Sequence, residues 1–184
     1  MKPLFCFLGE SGSGKSTICE ALEKELGMKQ IPSYTTRPPR YEGEKGHTFV
    51  SEAEYDKLHH IIAENTTTGY RYCVTQDQLD NEEYELYVVD LTGLKMLRNR
   101  YSGNRNIIGI YVSAPLRQRY ERMKIRYCKE DAVDKTLQRI VSDVKEFDGC
   151  ASWCQYTVVN SDSKFDDTMN NVKAIIKQER KRLE

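Results

Sequence analysis

The chain has 184 residues, with 28 Lys plus Arg balanced by 28 Asp plus Glu. That length suits one domain with a sizeable core, and a formal net charge of zero argues against a protein that coats nucleic acid. No apolar run approaches the roughly 20 residues of a membrane span. The short run Leu4–Leu8 stops at Gly9-Glu10, too soon for a signal-peptide core.

In chain order, Leu4–Leu8 predicts a buried strand. Lys15–Leu26 predicts a helix, with Ile18, Cys19, Leu22 and Leu26 at helical spacing. Glu85–Leu91, Ile107–Val112 and Tyr156–Val159 predict three further buried strands. Helical patterns fall near 93–100, 115–127, 133–148 and 164–182. Continuously apolar strands alternating with helices predict a parallel sheet covered on both faces. Residues 32–84, rich in Tyr, Thr, Arg and Gly, break that rhythm and predict an inserted antiparallel subdomain. The closing KQERKRLE reads as a helix C-terminus whose cations complement the dipole. Six cysteines are scattered with no CxxC pair, and His47, His59 and His60 do not join them at zinc spacing. With no export signal, the expectation is a cytoplasmic chain with reduced thiols, Cys6 and Cys19 among the core residues.

Gly9-Glu-Ser-Gly-Ser-Gly14-Lys15-Ser16 fits GxxxxGK[ST], and an apolar strand precedes it while a helix follows. A phosphate chain needs several donors converging on it. Glycines let the backbone wrap so that successive N–H groups point inward, and the N-terminus of the following helix adds amides and a favourable dipole. Lys15 can reach the β and γ phosphates, and the Ser16 hydroxyl can ligate Mg²⁺. The loop alone does not name a reaction. No NKxD-type base-reading segment follows, which favours a kinase over a GTPase. Ser33-Tyr-Thr-Thr-Arg37-Pro-Pro-Arg40 is the second unusual stretch. Its two prolines fix φ and favour extended backbone before them. They would hold two guanidinium forks ready for one dianion.

With these motifs in place, the sequence resembles the guanylate kinase family over most of its length. Gly9–Thr17 matches that family's P-loop and Ser33–Arg40 its S-x-T-T-R-x-P-R motif. GHTFVS (Gly46–Ser51), TGYRY (Thr68–Tyr72) and VVNSD (Val158–Asp162) are similar to further family segments, in the right order. The resemblance implies a P-loop NTPase-type α/β core of residues 1–31 and 85–184, with its loop at 9–17. It also implies an acceptor-binding insert at 32–84 and a lid at 127–135. It implies ATP and Mg²⁺, with Glu10, Ser11, Gly12, Ser13, Gly14, Lys15, Ser16 and Thr17 around the ATP phosphates. Asn160 would sit near the adenine. Ser33 would face the acceptor base, and Arg37, Arg40 and Tyr72 would hold the acceptor phosphate. Asp90 would lie near Mg²⁺ or the acceptor. Arg122 and Arg126 keep the family spacing before the lid, and Arg139 follows it. Arg126 and Arg139 are the lid cations given catalytic weight beside Lys15 and Arg37; Arg117 and Arg119 read as a solvated helix face.

The acceptor side departs from the family. Ala63 stands where the family reads guanine with a glutamate, and the neighbouring Glu64 could substitute after a one-residue shift. Val74 replaces a guanine-contacting serine, with Thr75 next to it. His47 replaces a phosphate-binding tyrosine and could donate a hydrogen bond, more strongly if protonated. Val88 replaces the first of two strand aspartates, and Asp90 keeps the second. The expected function is ATP-dependent phosphorylation of a nucleoside monophosphate, GMP or dGMP first, by a monomer or small homo-oligomer with no nucleic-acid or membrane partner. Two alternatives stand beside it: a same-fold kinase for a non-guanine nucleotide, and a non-catalytic phospholigand-binding module.

Overall fold

The computed structural model describes residues 2–127 and 132–183. Along the chain, β1 (Leu4–Leu8), α1 (Lys15–Leu26) and β2 (Lys29–Gln30) are followed by β3 (Ser33–Thr35), β4 (His47–Phe49), α2 (Glu52–Tyr55), β5 (Ile61–Thr67), β6 (Tyr70–Thr75) and α3 (Gln76–Asp80). Then come β7 (Tyr84–Val88), α4 (Leu91–Arg100), β8 (Ile107–Ser113), α5 (Leu116–Tyr127), α6 (Ala132–Glu146), β9 (Tyr156–Val159) and α7 (Phe165–Lys181). β1 is the middle strand of a parallel sheet in the order β2-β7-β1-β8-β9.

The five apolar residues of β1 serve two cores at once, because alternate side chains point to opposite faces. Phe5 and Phe7 pack with Ile18 and Leu22 of α1 and with Val172 and Ile176 of α7. Leu4, Cys6 and Leu8 pack the other way, with Leu94 and Leu97 of α4. The central α/β layer is therefore what the strand pattern requires. Burial holds the Cys6 thiol up at about 12, so it behaves as an inert core group. α1 begins after Gly14 and ends at Gly27, both in the left-handed region, and the Gly27 amide bonds to Glu23 O at 3.1 Å. Leu22 is fully buried, and Leu22→Ala is expected to cost about 2–5 kcal/mol of unfolding free energy in a denaturant titration.

The strand expected at 85–91 ends at Val88, because Asp90 is the N-cap of α4 and its carboxylate accepts from Gly93 N–H at 2.6 Å. The insert carries a second sheet, ordered β4-β3-β6-β5. It is mixed rather than wholly antiparallel: β3 pairs antiparallel with β6 but parallel with β4. The long return through residues 36–46 brings the chain back to the same end, so that Ser33 lies opposite His47. Ala63 of β5 and Val74 of β6 pack into the core cluster that also holds Ile31, Leu79 and Tyr87. The two positions that lack family base contacts therefore help dock the second sheet on the first. Among the described residues, no helix is long and apolar enough to cross a membrane.

Candidate active site

The loop between β1 and α1 is wrapped tightly. Gly9, Gly12 and Gly14 all have positive φ (145°, 76° and 95°), a conformation L-residues with a Cβ rarely adopt. There is no room for side chains either. A Cβ on Gly9 would collide with the Val112 carbonyl, and one on Gly14 with the Asn160 amide. Three side chains hold the loop's carbonyls outward. Arg119 Nε donates to Ser11 O at 3.1 Å, Arg122 Nη1 to Gly12 O at 3.0 Å, and Asn160 Nδ2 to Ser13 O at 2.8 Å. In a planar trans peptide the next N–H points the opposite way, so the Gly12 and Gly14 amides face the inside of the loop. Ser13 N–H instead closes a turn on Glu10 O at 3.1 Å. Ser16 and Thr17 are exposed on the first turn of α1, whose N-cap Gly14 supplies no side-chain cap. The first-turn amides of α1 lie where the sequence predicts an anion.

Lys15 lies across the loop mouth, its Nζ donating to Gly9 O at 2.6 Å and Glu10 O at 3.0 Å. Burial lowers its pKa to about 8; Asp143 and Glu10 counter that, and the charges of Arg126 and Arg139 add to it. The sign of the consequence is fixed. A lysine whose folded pKa is below its ordinary 10.5 binds fewer protons folded than unfolded between those values, so the ligand-free fold gains stability as pH rises from about 8 to 10.5. A triphosphate needs the charged form. The apparent Kd for ATP is therefore expected to be flat below pH 8 and to rise about tenfold per pH unit above it. Calorimetric titrations between pH 6.5 and 10 check this.

At the far side of the same cleft, Arg37 and Arg40 do not wait as free forks. The Glu44 carboxylate binds both. Arg37 Nη2 and Nη1 reach its two oxygens at 2.9 and 3.1 Å, and Arg40 donates to it through Nη1 at 2.9 Å and its backbone amide at 2.7 Å. Burial pushes the Glu44 carboxyl up, but these charges and hydrogen bonds outweigh it and hold it at about 2. Arg37 also donates to Tyr72 OH at 3.2 Å and Pro38 O at 2.9 Å, and stacks over Phe49. Its side chain is 7 % exposed, that of Arg40 44 %. Arg37 is a buried, oriented fork and Arg40 the more accessible one. The sequence reading passed over Glu44, although its spacing of four from Arg40 and seven from Arg37 in RPPRYEGE was a usable signal.

His47 lies beside them, its Nδ1 2.9 Å from Ser33 Oγ and its ring edge-on to Tyr72. Burial, then the Arg37 charge, lowers it to about 4. It is neutral at neutral pH, so a hydrogen bond it donates comes from the neutral ring. Glu64 is exposed and pairs with Cys73 in the ladder. It lines the cleft together with Asn65, whose amide donates to Asp90 Oδ2 and, at 3.1 Å, to Thr67 Oγ1. The residue bonded to Asp90 is Asn65. Thr75 is buried as the N-cap of α3, its amide accepted by Gln78 Oε1 at 3.2 Å, and so stands apart from the acceptor set. Asn160 is buried under the loop, and its Nδ2 supports the backbone by donating to Ser13 O.

One cleft of about 1140 Å³ joins these groups. It is lined by Gly9, Ser11 and Lys15 on one wall, and by Ser33, Arg37, Arg40, His47 and Tyr72 on another. Asn65 and Asp90 line it between them, and Arg126 and Arg139 over the top. Residues 128–131 of the expected lid lie outside the described residues; Lys135, its last residue, lines the cleft. Arg119 corrects the reading of a solvated face. It is buried, and it binds Ser11, Glu10 and Asp143. Arg117 is exposed as expected. Nothing in α5's sequence separates these two arginines; only the packing of the helix on Gly12 does, where an added Cβ would lie 2.7 Å from Arg119 O.

The chain matches the guanylate kinase family model across residues 1–179. It is 26 % identical to a guanylate kinase of Clostridium tetani, over 98 % of this chain and 88 % of that one. It is 27 % identical to a guanylate kinase of Ruegeria pomeroyi, over 94 % and 83 %. Its fold is similar to the crystal structure of a guanylate kinase from Anaplasma phagocytophilum, with a TM-score of 0.65 at 22 % identity, covering 97 % and 86 % of the two chains.

Proposed function

The chain belongs to the guanylate kinase family, and from that premise we propose that it transfers the γ-phosphoryl of ATP to GMP or dGMP, giving ADP and the nucleoside diphosphate. The observation that carries this is the shared cleft. A P-loop with a half-buried lysine and a two-arginine fork face one space, with Arg126 and Arg139 lining it as well. That is the charge arrangement an in-line transfer between two phosphates needs.

In the proposed reaction an oxygen of the acceptor phosphate forms a bond to the γ phosphorus while the bond to the β-bridging oxygen breaks, and ADP leaves. The loop amides and Lys15 hold the β and γ phosphates. Arg40 and the buried Arg37 offset the repulsion between two anionic reactants. Neutral His47 offers Nε2–H to the acceptor when Ser33 donates to its Nδ1. Arg126 and Arg139 take up charge that spreads onto the transferred group. Side chains present also suit Mg²⁺: Ser16 carries an exposed hydroxyl at the helix start, next to Lys15, and Asp90 is a carboxylate in the cleft that Lys15 lines. When bound, the ion supplies charge neutralisation and orientation to the phosphates.

For the base, Asn65 spends its amide hydrogens on Asp90 and Thr67. Its carbonyl oxygen is left to accept from an N–H edge such as that of guanine. The apolar Ala63 and Val74 favour a second reading, in which another nucleoside monophosphate is accepted. A coupled assay with ATP, Mg²⁺ and each common NMP and dNMP decides between them. Turnover confined to GMP and dGMP supports the first reading. Turnover highest on another base supports the second.

A further inference from the structure

On the lid side of the P-loop, α6 presents a carboxylate, Asp143, whose side chain is 1 % exposed, and α5 presents its counter-charge, Arg119, at 9 %. Asp143 is filled with donors. Its Oδ2 accepts from Ser11 N–H at 2.8 Å and Arg119 Nη2 at 2.9 Å, and its Oδ1 from Ser11 Oγ at 3.2 Å and Arg139 Nε at 3.1 Å. Arg139 Nε also donates to Ser11 Oγ at 2.7 Å, and Arg139 Nη2 pairs with Glu146 at 3.3 Å. Arg119 completes the grip through Ser11 O and, at 3.3 Å, Glu10 Oε1. Both main-chain polar groups of Ser11 are thus held by one buried ion pair.

A buried ion pair rarely stabilises a fold more than well-packed apolar residues would, so stability is a weak reason for this one. Geometry is a stronger reason. With the Ser11 carbonyl drawn to Arg119, the Gly12 N–H is fixed toward the inside of the loop. With Arg139 Nε caught between Ser11 Oγ and Asp143, that guanidinium is fixed against the loop it serves. We propose that Asp143 and Arg119 are positioning residues for phosphoryl transfer, a clamp that seats α5 and α6 on the P-loop and aims Arg139. The proposal rests on the kinase reading above.

The test compares wild type, Asp143→Asn and the double variant Arg119→Leu/Asp143→Ala as full chains, by steady-state transfer and by thermal melting. Asp143→Asn strands a buried arginine and loses stability as well as rate, so the double variant is the decisive one. It is expected to melt closer to wild type than Asp143→Asn does, because the buried Asp143–Arg119 pair leaves together. Its kcat should fall about 10- to 100-fold while the KM for the acceptor stays within twofold, as misaimed groups cost turnover more than acceptor binding. A folded double variant with kcat within twofold of wild type overturns the proposal. In an Arg139→Ala background, adding Asp143→Asn should lower kcat little further; a full multiplicative loss overturns the claim that Asp143 acts through Arg139. If the wild-type chain itself transfers no phosphoryl group, the kinase reading fails and the clamp proposal with it, an outcome read from the control alone.

Discussion

Lys15→Ala is expected to lower kcat by about 10³-fold or more while leaving the fold intact. The two effects separate because of where Lys15 sits. Its Nζ bridges Gly9 O and Glu10 O at the loop mouth, and burial has lowered its pKa to about 8. A charged lysine that is depressed in the fold contributes nothing to stability that removal could forfeit, so the melting temperature should hold or rise. The loss falls on the phosphates, which keep the loop amides but lose their cation. Lys15→Arg should not rescue, because a planar fork does not replace a compact ammonium within the loop. Steady-state kinetics beside a melting curve checks both halves. Unchanged turnover in folded Lys15→Ala protein would remove the P-loop from the mechanism.

Arg37→Ala is the second large effect, and it is expected to act on activity and stability together. Turnover should fall about 10²- to 10³-fold, because one of two acceptor cations is gone and Tyr72 and Phe49 lose the group they orient. Stability should fall by about 3–5 kcal/mol, since Glu44, with its side chain 6 % exposed, keeps only the more accessible Arg40. The Glu44 carboxyl, now about 2, should then titrate higher. Wild type draws stability from this pair above the ordinary carboxyl pKa and loses it as pH falls from about 4.5 toward 2. A second substitution separates the two roles. Arg37→Ala/Glu44→Gln should recover part of the stability and none of the turnover. Near-normal turnover in folded Arg37→Ala protein would sink its assignment to the acceptor.

What the sequence made legible follows from local chemistry. Five apolar residues in β1, helical spacing in α1 and a GxxxxGKS loop between them needed no distant partner to be read, and all three stand where the pattern put them. The arginine–proline loop was legible as two guanidinium forks held close together, but not as a pair already braced by Glu44, since that depends on how residues 36–46 fold back. The parallel pairing of β3 with β4 was hidden for the same reason. Arg119 and Asp143 were illegible. One lies in a run of charges that reads as solvated, the other on a helix whose exposed residues include Leu137, Val141 and Val144. Their burial comes from two helices, distant in sequence from the P-loop, closing on the same loop. The family resemblance set Asn160 near an adenine and Thr75 beside a base-reading position, but it could not show the backbone contacts each makes: Asn160 with a P-loop carbonyl, Thr75 at a helix N-terminus.

The most direct test of the central claim is to follow ATP, Mg²⁺ and GMP with the purified chain by phosphorus NMR, counting ADP and GDP as they form. The account predicts that the two products rise together in a one-to-one ratio, and that no ADP forms at a comparable rate without the acceptor. ADP formed without GDP, or no reaction with GMP or any other nucleoside monophosphate, would contradict it.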